Sequence, residues 1–369
     1  MTESQLVKEK VAQAREVLRE LDIDLWLLAG RETEEMPDPS FPLVVGASVT
    51  WTSLFLIGRT GENVAIVGTG DVENVRSTGA WPNVIGYVQG FNDDLKRVLD
   101  RLQPRRIALN YSIDNVVADG LVHGVFLQLR EALAGTPWAD RFISAEPIVS
   151  RVRGRKSPAE LERIRQAVRL TEGMFDRLTV TLRPGLTERE IGDFMHAQIG
   201  EAGLESTAWA REYCPTVSAG PASPWGHVGP TGIQLEQGHL LRLDFGVKYE
   251  GYCSDMQRTW YMLRPGEDDA PPEIKHAFAL VDRCIQEGAR ALKPGRQGHE
   301  IDGIARAIFA GAGLGWDFAF GHQMGRYVHD GGAVLGPAWE RYGRRPFDPI
   351  EAGQVYTLEI GTRVEGYGA

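Results

Sequence analysis

Two stretches of the chain repeat one another at a constant spacing. Residues 182–204 read LRPGLTEREIGDFMHAQIGEAGL, and residues 292–314 read LKPGRQGHEIDGIARAIFAGAGL. They align without a gap at an offset of 110 residues and share a Pro-Gly turn, a Glu-Ile pair and a final Ala-Gly-Leu. Each copy predicts helix, turn, helix and then strands. A long unit seen twice predicts two similar halves about a pseudo-twofold axis, with a site in the cleft between them.

The chain before the repeat has a different pattern, in which short apolar runs alternate with helical stretches. Strands are predicted at 25–28, 54–57, 64–67, 84–88 and 107–109, and helices at 5–21, 92–102 and 116–134. This alternation predicts an α/β domain with a mainly parallel or mixed sheet. Gly68-Thr69-Gly70 lacks the third glycine and the helix of a phosphate-binding loop.

A domain boundary is predicted near residue 155. A basic run from Arg151 to Lys156 is interpreted as an exposed linker, and Ser157-Pro158-Ala159-Glu160 forms a capping box that begins a long helix. We therefore predict domains at 1–152 and 153–369.

The composition is that of a globular protein. Among 369 residues, 40 are Lys or Arg and 50 are Asp or Glu, a net charge of −10 without a basic block, which argues against nucleic-acid binding. No apolar run is long enough for a membrane span or a signal peptide. The 3 cysteines are far apart and predict neither a disulfide framework nor a thiolate zinc site. We expect a cytoplasmic enzyme or small-molecule binder.

Two aspartates mark the first chemical signal. Residues 241–246 alternate apolar and polar side chains, and residues 253–260 read as the returning strand of a hairpin. A turn centred on Tyr249 and Glu250 pairs residue i with 499 − i, which places Asp244 directly opposite Asp255. Like charges so placed are destabilising unless a cation lies between them.

Further ligand types follow downstream. His322 and His329 lie seven residues apart in a glycine-rich stretch, and Glu359 lies within an apolar strand pattern. A buried Glu359 requires a cation or a basic partner, for which Arg363 is the competing candidate. Two aspartates, a histidine and a glutamate suit Mn²⁺, with Co²⁺ or Zn²⁺ also compatible, and bridging carboxylates commonly hold two ions for hydrolysis.

These motifs together resemble a known family. The segments 244–246, 251–259, 321–330 and 358–361, with Lys156-Ser157-Pro158 before them, are similar to the pita-bread metallopeptidases, the group of Xaa-Pro dipeptidase (prolidase), aminopeptidase P and creatinase. The resemblance covers the whole chain and is strongest over 153–369. It implies a creatinase-like α/β N-terminal domain, for dimerisation and control of substrate access, and an α+β pita-bread catalytic domain with two pseudo-symmetric halves.

The resemblance also implies a role for each matched residue. Asp244 matches the terminal ligand of one metal and Asp255 the bridging aspartate, while His322 and Glu359 match ligands of the second metal. His227 and His329 match histidines that contact the substrate or its carbonyl, and Arg258 matches a residue near the site that supports substrate binding.

The implied activity is hydrolysis of Xaa-Pro dipeptides by a hydroxide that bridges two divalent metals, most simply Mn²⁺, in a homodimer. The family has a fifth ligand, a bridging glutamate that is also the general base, on a strand after the turn that here is Gly366-Tyr367-Gly368. The sequence ends at Ala369, before that strand. Either the natural protein is longer or the site is incomplete and inactive. We expect the longer protein, because ending inside a core hairpin would leave buried backbone groups unpaired.

Three alternatives stay open on sequence. An aminopeptidase P would cleave longer Xaa-Pro-Yaa peptides, and Arg31, Phe41 and Trp51 are candidates for the N-terminal residues that select dipeptides across a dimer. A creatinase-like amidinohydrolase would need no metal, and a non-catalytic member of the fold would bind peptides without cleaving them. The intact set of four ligand types argues against these last two.

Overall fold

The structure is a computed structural model that describes residues 2–226 and 228–369. The chain divides into two compact units, Met1–Arg155 and Lys156–Ala369. The predicted boundary at 152/153 falls inside a helix, Glu146–Gly154, whose Ile148, Val149 and Val152 belong to the apolar core of the first unit. The prediction of an exposed linker was wrong, because Arg153 is buried and donates to the carbonyl of Pro39.

The first unit is an α/β sandwich around one mixed sheet. Its helices are α1 (Glu3–Glu20), α2 (Phe41–Val44), α3 (Val72–Ser77), α4 (Asn92–Leu102), α5 (His123–Ala132) and α6 (Glu146–Gly154). Its strands are β1 (Leu25–Gly30), β2 (Ser53–Gly58), β3 (Asn63–Gly68), β4 (Asn83–Tyr87), β5 (Ile107–Leu109) and β6 (Phe142–Ser144). They lie in the order β4-β3-β2-β1-β5-β6, antiparallel across β1, β2 and β3 and parallel elsewhere.

Both faces of this sheet are covered, which explains why its four central strands are continuous buried runs rather than alternating ones. Trp26 and Leu28 belong to the apolar cluster on one face, and Leu25 and Leu27 to the cluster on the other. The helix predicted over 116–134 begins only at His123, because a short 3₁₀ turn (Val116–Ala118) precedes it.

The second unit contains the repeat. Its helices are α7 (Pro158–Thr181), α8 (Glu188–Glu201), α9 (Pro272–Ala291) and α10 (Gly298–Gly311). Its strands are β7 (Ser206–Thr207), β8 (Thr216–Ala219), β9 (Leu240–Phe245), β10 (Val247–Tyr249), β11 (Tyr252–Cys253), β12 (Met256–Tyr261), β13 (Gly321–His322) and β14 (Val334–Leu335). They form sheets in the orders β11-β10-β7, β12-β9-β8 and β13-β14.

The two halves of this unit share a backbone frame. Helices α8 and α10 begin with capping boxes, at Thr187 and Gln297, and both follow a glycine with positive φ. Gly185 N–H donates to Leu235 O and Gly295 N–H to Ile350 O, both at 2.8 Å. The offset is 110 residues between the glycines but 115 between the carbonyls that accept, so the second half carries five extra residues before its strand.

Among the described residues, no helix combines the length and apolar character that crossing a bilayer requires.

Candidate metal centre

The hairpin that carries the two aspartates turns one residue later than predicted. Glu250 and Gly251 form the turn with φ of 44° and 77°, and the strands pair Asp244 with Gln257 rather than with Asp255. The predicted register was therefore wrong by two residues. A glycine at the second central position suits a two-residue turn in which both residues have positive φ.

A shift of two residues keeps side chains on the same face of a hairpin. Asp255 follows β11 and is still close enough to Asp244 to hydrogen-bond with its carboxylate. The two aspartates are therefore neighbours, as the sequence predicted, but by a diagonal contact rather than a direct cross-strand pair.

The second half brings a histidine and a glutamate to the same place. Thr357 N–H donates to His322 O at 2.9 Å and Glu359 N–H donates to Phe320 O at 2.7 Å, which sets the two side chains side by side. His322 Nε2 lies 2.8 Å from Glu359 Oε1 and 3.6 Å from Asp255 Oδ2. Ligand atoms of Asp255, His322 and Glu359 all lie within 4.8 Å of one another.

Two side chains that the sequence analysis missed connect the halves. Arg242 Nη2 lies 3.6 Å from Asp244 Oδ2, and its Nε donates to Gln257 Oε1 at 3.0 Å. Gln257 Nε2 donates in turn to Glu359 Oε2 at 3.2 Å. The sequence could have revealed Arg242, because side chains alternate along β9 and Arg242 therefore lies on the same face as Asp244.

His329 lies beside the cluster. Its ring meets the His322 ring edge-on, with 4.4 Å between centroids and 81° between planes. His227, the other predicted substrate histidine, lies outside the described residues.

Arg258 and Arg363 are placed elsewhere. Arg258 follows Gln257 on β12 and so faces the other way, with its guanidinium 5.5 Å from the ring centroid of Phe175 and 4.0 Å from Glu172 on α7. Arg363, the competing partner for Glu359, donates instead to the carbonyls of Pro221 and Ser223.

Burial and mutual charge shift the pKa of every member of the cluster. Burial, reinforced by the charge of Glu359, raises the pKa of Asp244 to about 7, and burial with Glu359 and Asp244 raises the pKa of Asp255 well above its ordinary value. Burial opposes the charged forms of His322 and Glu359 as well. Their mutual hydrogen bond and attraction outweigh it, so the pKa of His322 rises to about 9 and that of Glu359 falls to about 2.

The cluster has the features of a cation site. Asp244 Oδ1 is buried and has no hydrogen-bond partner among the described residues. Such an atom costs free energy unless a donor or a cation reaches it. Three carboxylates and one imidazole match the oxygen-rich donor set that hard or borderline divalent ions prefer. The residues present therefore fit a divalent metal ion.

Comparison with known proteins identifies the family. The model of metallopeptidase family M24 matches residues 162–369, which is more than half of the chain. The chain belongs to metallopeptidase family M24. This family binds divalent metals, in agreement with the donor set of the cluster.

Relatives of this M24 chain cover both of its units. An uncharacterized peptidase of Staphylococcus saprophyticus is 28% identical over 314 residues, which are 84% of this chain and 81% of that protein. The Xaa-Pro dipeptidase from Bacillus anthracis matches with a TM-score of 0.73 at 21% identity, over 98% of this chain and 92% of that one. The X-Pro aminopeptidase from Thermotoga maritima matches with a TM-score of 0.70 at 23% identity, over 97% and 92%. These neighbours establish the pita-bread fold.

Proposed function

We propose that this M24 metallopeptidase hydrolyses Xaa-Pro dipeptides with two divalent ions, Mn²⁺ in the first place. The proposal is carried by one observation, the convergence of Asp244, Asp255, His322 and Glu359 with an unpartnered buried oxygen on Asp244. Asp244 and Asp255 would hold one ion, and His322 and Glu359 the second. The bound ions would polarise the scissile carbonyl and supply a nucleophilic water.

The other side chains of the site have supporting roles in this proposal. His329, edge-on to His322, would donate an N–H to the carbonyl oxygen as negative charge develops there. Arg242 and Gln257 hold the carboxylates of Asp244 and Glu359 in place through the contacts described above. From its sequence position, His227 is proposed to contact the substrate. Arg258 has no part in this scheme, since it packs on α7.

Cleavage of longer Xaa-Pro-Yaa peptides is the second candidate. It is supported by the similarity of this chain to an X-Pro aminopeptidase as well as to an Xaa-Pro dipeptidase, with nearly equal TM-scores of 0.70 and 0.73. Both candidates act on the bond before proline and differ in whether the proline carboxylate must be free.

Turnover measurements test both candidates. The full-length natural protein, treated with chelator and then loaded with Mn²⁺, should cleave Ala-Pro and Met-Pro and leave Ala-Ala intact. Release of alanine from Ala-Pro-Ala but not from Ala-Pro would replace the dipeptidase by the aminopeptidase. Asp255→Asn should abolish turnover, whereas Asp193→Asn, an exposed acidic position on α8, serves as the matched control. Absence of any turnover by metal-loaded protein would contradict the proposal.

Metal content is measured separately from activity. Titration with Mn²⁺, followed by calorimetry and by the loss of the free-ion electron paramagnetic resonance signal, should show two ions per chain. Binding of no ion would remove the basis of the proposal. A homodimer also stays a prediction, which sedimentation equilibrium would test.

A further inference from the structure

The segment that begins the second unit contains a buried charge that the metal centre does not use. Lys156 Nζ lies 2.7 Å from Asp330 Oδ2, and the two side chains are only 1% and 2% exposed. The backbone N–H of Lys156 donates to Gly353 O at 3.0 Å. The ion pair therefore joins the start of α7 to a loop 174 residues further along the chain.

That loop carries His329, the residue directly before Asp330. Asp330 N–H donates to Gln323 O at 2.9 Å, and Tyr327 N–H donates to Asp330 Oδ1 at 3.4 Å. One oxygen of the carboxylate thus accepts from the loop backbone while the other faces the lysine. The loop closes around the ion pair, since a side chain at Gly325 would overlap both the carboxylate and the ammonium.

Stability alone is a weak explanation for such a pair. Removing two charges from water costs several kcal/mol, so replacing a buried ion pair by uncharged residues of similar size is often neutral or stabilising. A hydrogen-bonded ion pair that is shielded from water can instead hold the two side chains in a single geometry. Asp330 adjoins the histidine whose ring packs edge-on against a ligand of the centre.

We infer that Lys156 is a positioning residue for His329, acting through Asp330. The inference rests on the proposed function, because the position of His329 has a consequence only if its imidazole meets the substrate. The ammonium orients the Asp330 carboxylate, the carboxylate holds the amide of Tyr327, and the loop sets the His329 ring against His322. A displacement on the order of 1 Å at such a group can cost up to about 100-fold in rate.

The test removes both charges together. Lys156→Met/Asp330→Asn keeps the volumes and removes both charges of the pair, so it should fold. We expect kcat for Ala-Pro to fall by about 10- to 100-fold, with KM and the Mn²⁺ dissociation constant changed by less than about twofold. In the background of His329→Ala the double substitution should have no further effect on kcat, because the residue it positions is gone.

Leu178→Ala is the matched control. It opens a cavity in the apolar core at the far end of the same helix α7, so it destabilises without touching the loop. It should leave kcat unchanged at a temperature at which both variants are folded. An unchanged kcat in the charge-free variant would overturn the inference. So would a loss of the same size in the His329→Ala background.

Hydrogen exchange gives a readout that does not require activity. The amides of Tyr327 and Asp330 should exchange faster in the charge-free variant and at the wild-type rate in Leu178→Ala. Failure of the wild-type chain to cleave any Xaa-Pro peptide would contradict the proposed function, while this measurement would still decide whether the ion pair holds the loop. Unchanged exchange in the charge-free variant would overturn the inference independently of turnover.

Discussion

The two halves of the catalytic unit place a carboxylate at equivalent positions but surround it differently. Asp244-Phe245-Gly246 and Glu359-Ile360-Gly361 are 115 residues apart, as are the positive-φ glycines Gly238 and Gly353, with φ of 84° and 87°. In the first half the neighbouring cation is Arg242, 3.6 Å from the carboxylate. In the second half it is His322, 2.8 Å away.

This difference in partners shifts the pKa values of the equivalent acids in opposite directions. The pKa of Glu359 falls to about 2, whereas that of Asp244 rises to about 7, because the distant guanidinium does not offset burial and the charge of Glu359. The repeated backbone therefore fixes where the acids lie, and the local partners fix their charge. Four predictions sharpen or break this comparison.

The largest effect is expected from neutralising either acid. Asp244→Asn and Glu359→Gln should each lower kcat/KM by more than about 100-fold. Loss of a residue that only supports a metal ligand typically costs up to about 100-fold, and a ligand itself should cost more. Their effects on the metal-free protein should differ. Glu359→Gln leaves the buried His322 imidazolium with only the more distant Asp255 beside it and should cost about 3–5 kcal/mol, while Asp244→Asn should be nearly neutral. Urea unfolding in chelator measures both, and equal losses would show that the two acids have the same environment.

The next effect concerns a buried acid present in one half only. Glu188 accepts hydrogen bonds from Ala219 N–H, the Ser223 hydroxyl, and the N–H and hydroxyl of Thr231, and Gly298 is its counterpart in the second half. Glu188→Ala should lower the free energy of unfolding by about 2–4 kcal/mol, because several buried donors lose their acceptor.

Gly298→Ala tests the other side of the same comparison. A Cβ at this position would overlap the carbonyl of Val334, and we expect a loss of about 1–3 kcal/mol from overpacking. Chemical denaturation measures the free energy of unfolding of Glu188→Ala and Gly298→Ala. It thereby compares the hydrogen bonds of Glu188 with the close backbone contact of Gly298. No loss in either variant would mean that these loops are held by other contacts.

Stability of the metal-free protein should fall as pH rises. The folded pKa of Asp244, about 7, exceeds its ordinary value of 3.8, so its contribution is complete below pH 3.8 and is lost as pH rises through 7. That of His322 is complete below pH 6.5 and is lost as pH rises through about 9. We expect a net loss of stability between about pH 4 and 9.

Metal should reverse this trend, because a divalent ion displaces the protons, and stabilisation by Mn²⁺ should therefore grow with pH. Thermal unfolding with chelator and with Mn²⁺ across this range measures both curves. Asp244→Asn should flatten the lower part of the chelator curve and His322→Gln the upper part. A chelator curve that rises with pH would contradict the assigned protonation.

The smallest effect is expected at the helix starts. Thr187 and Gln297 are the equivalent caps of α8 and α10. Thr187→Ala should cost about 1 kcal/mol, and Gln297→Ala less, because glutamine is not among the preferred capping residues. A larger loss at Gln297 would show that its contact with His299 contributes more than the cap itself.

The sequence predicted which residues meet better than how they meet. The donor types suggested a metal site, and the family resemblance selected Asp244, Asp255, His322 and Glu359, which the structure brings together. The register of the hairpin was missed because it depends on which two residues form the turn, and one position there shifts the pairing by two.

The equivalence of Asp244 and Glu359 was hidden for a different reason. A fixed offset of 110 aligns the helices, but the five extra residues displace the second strand, so that Asp244 aligns with Gln354 instead. The hydrogen bonds that Gly185 and Gly295 donate to Leu235 and Ile350 show that the two strands are equivalent. These bonds are known only from the structure. Likewise, the burial of Arg153 and Lys156 was not readable from a basic run that has the composition of a linker.

Strand position in each half is held by the bond from its glycine turn, whatever the length of the connection that precedes the strand. The loop with His329, β14 and two 3₁₀ turns lies in the longer connection, between residues 323 and 349. Chain can therefore be gained or lost there while the carboxylate of the following strand stays in place. The architecture thus makes the place of the carboxylate independent of how long the connection before it is.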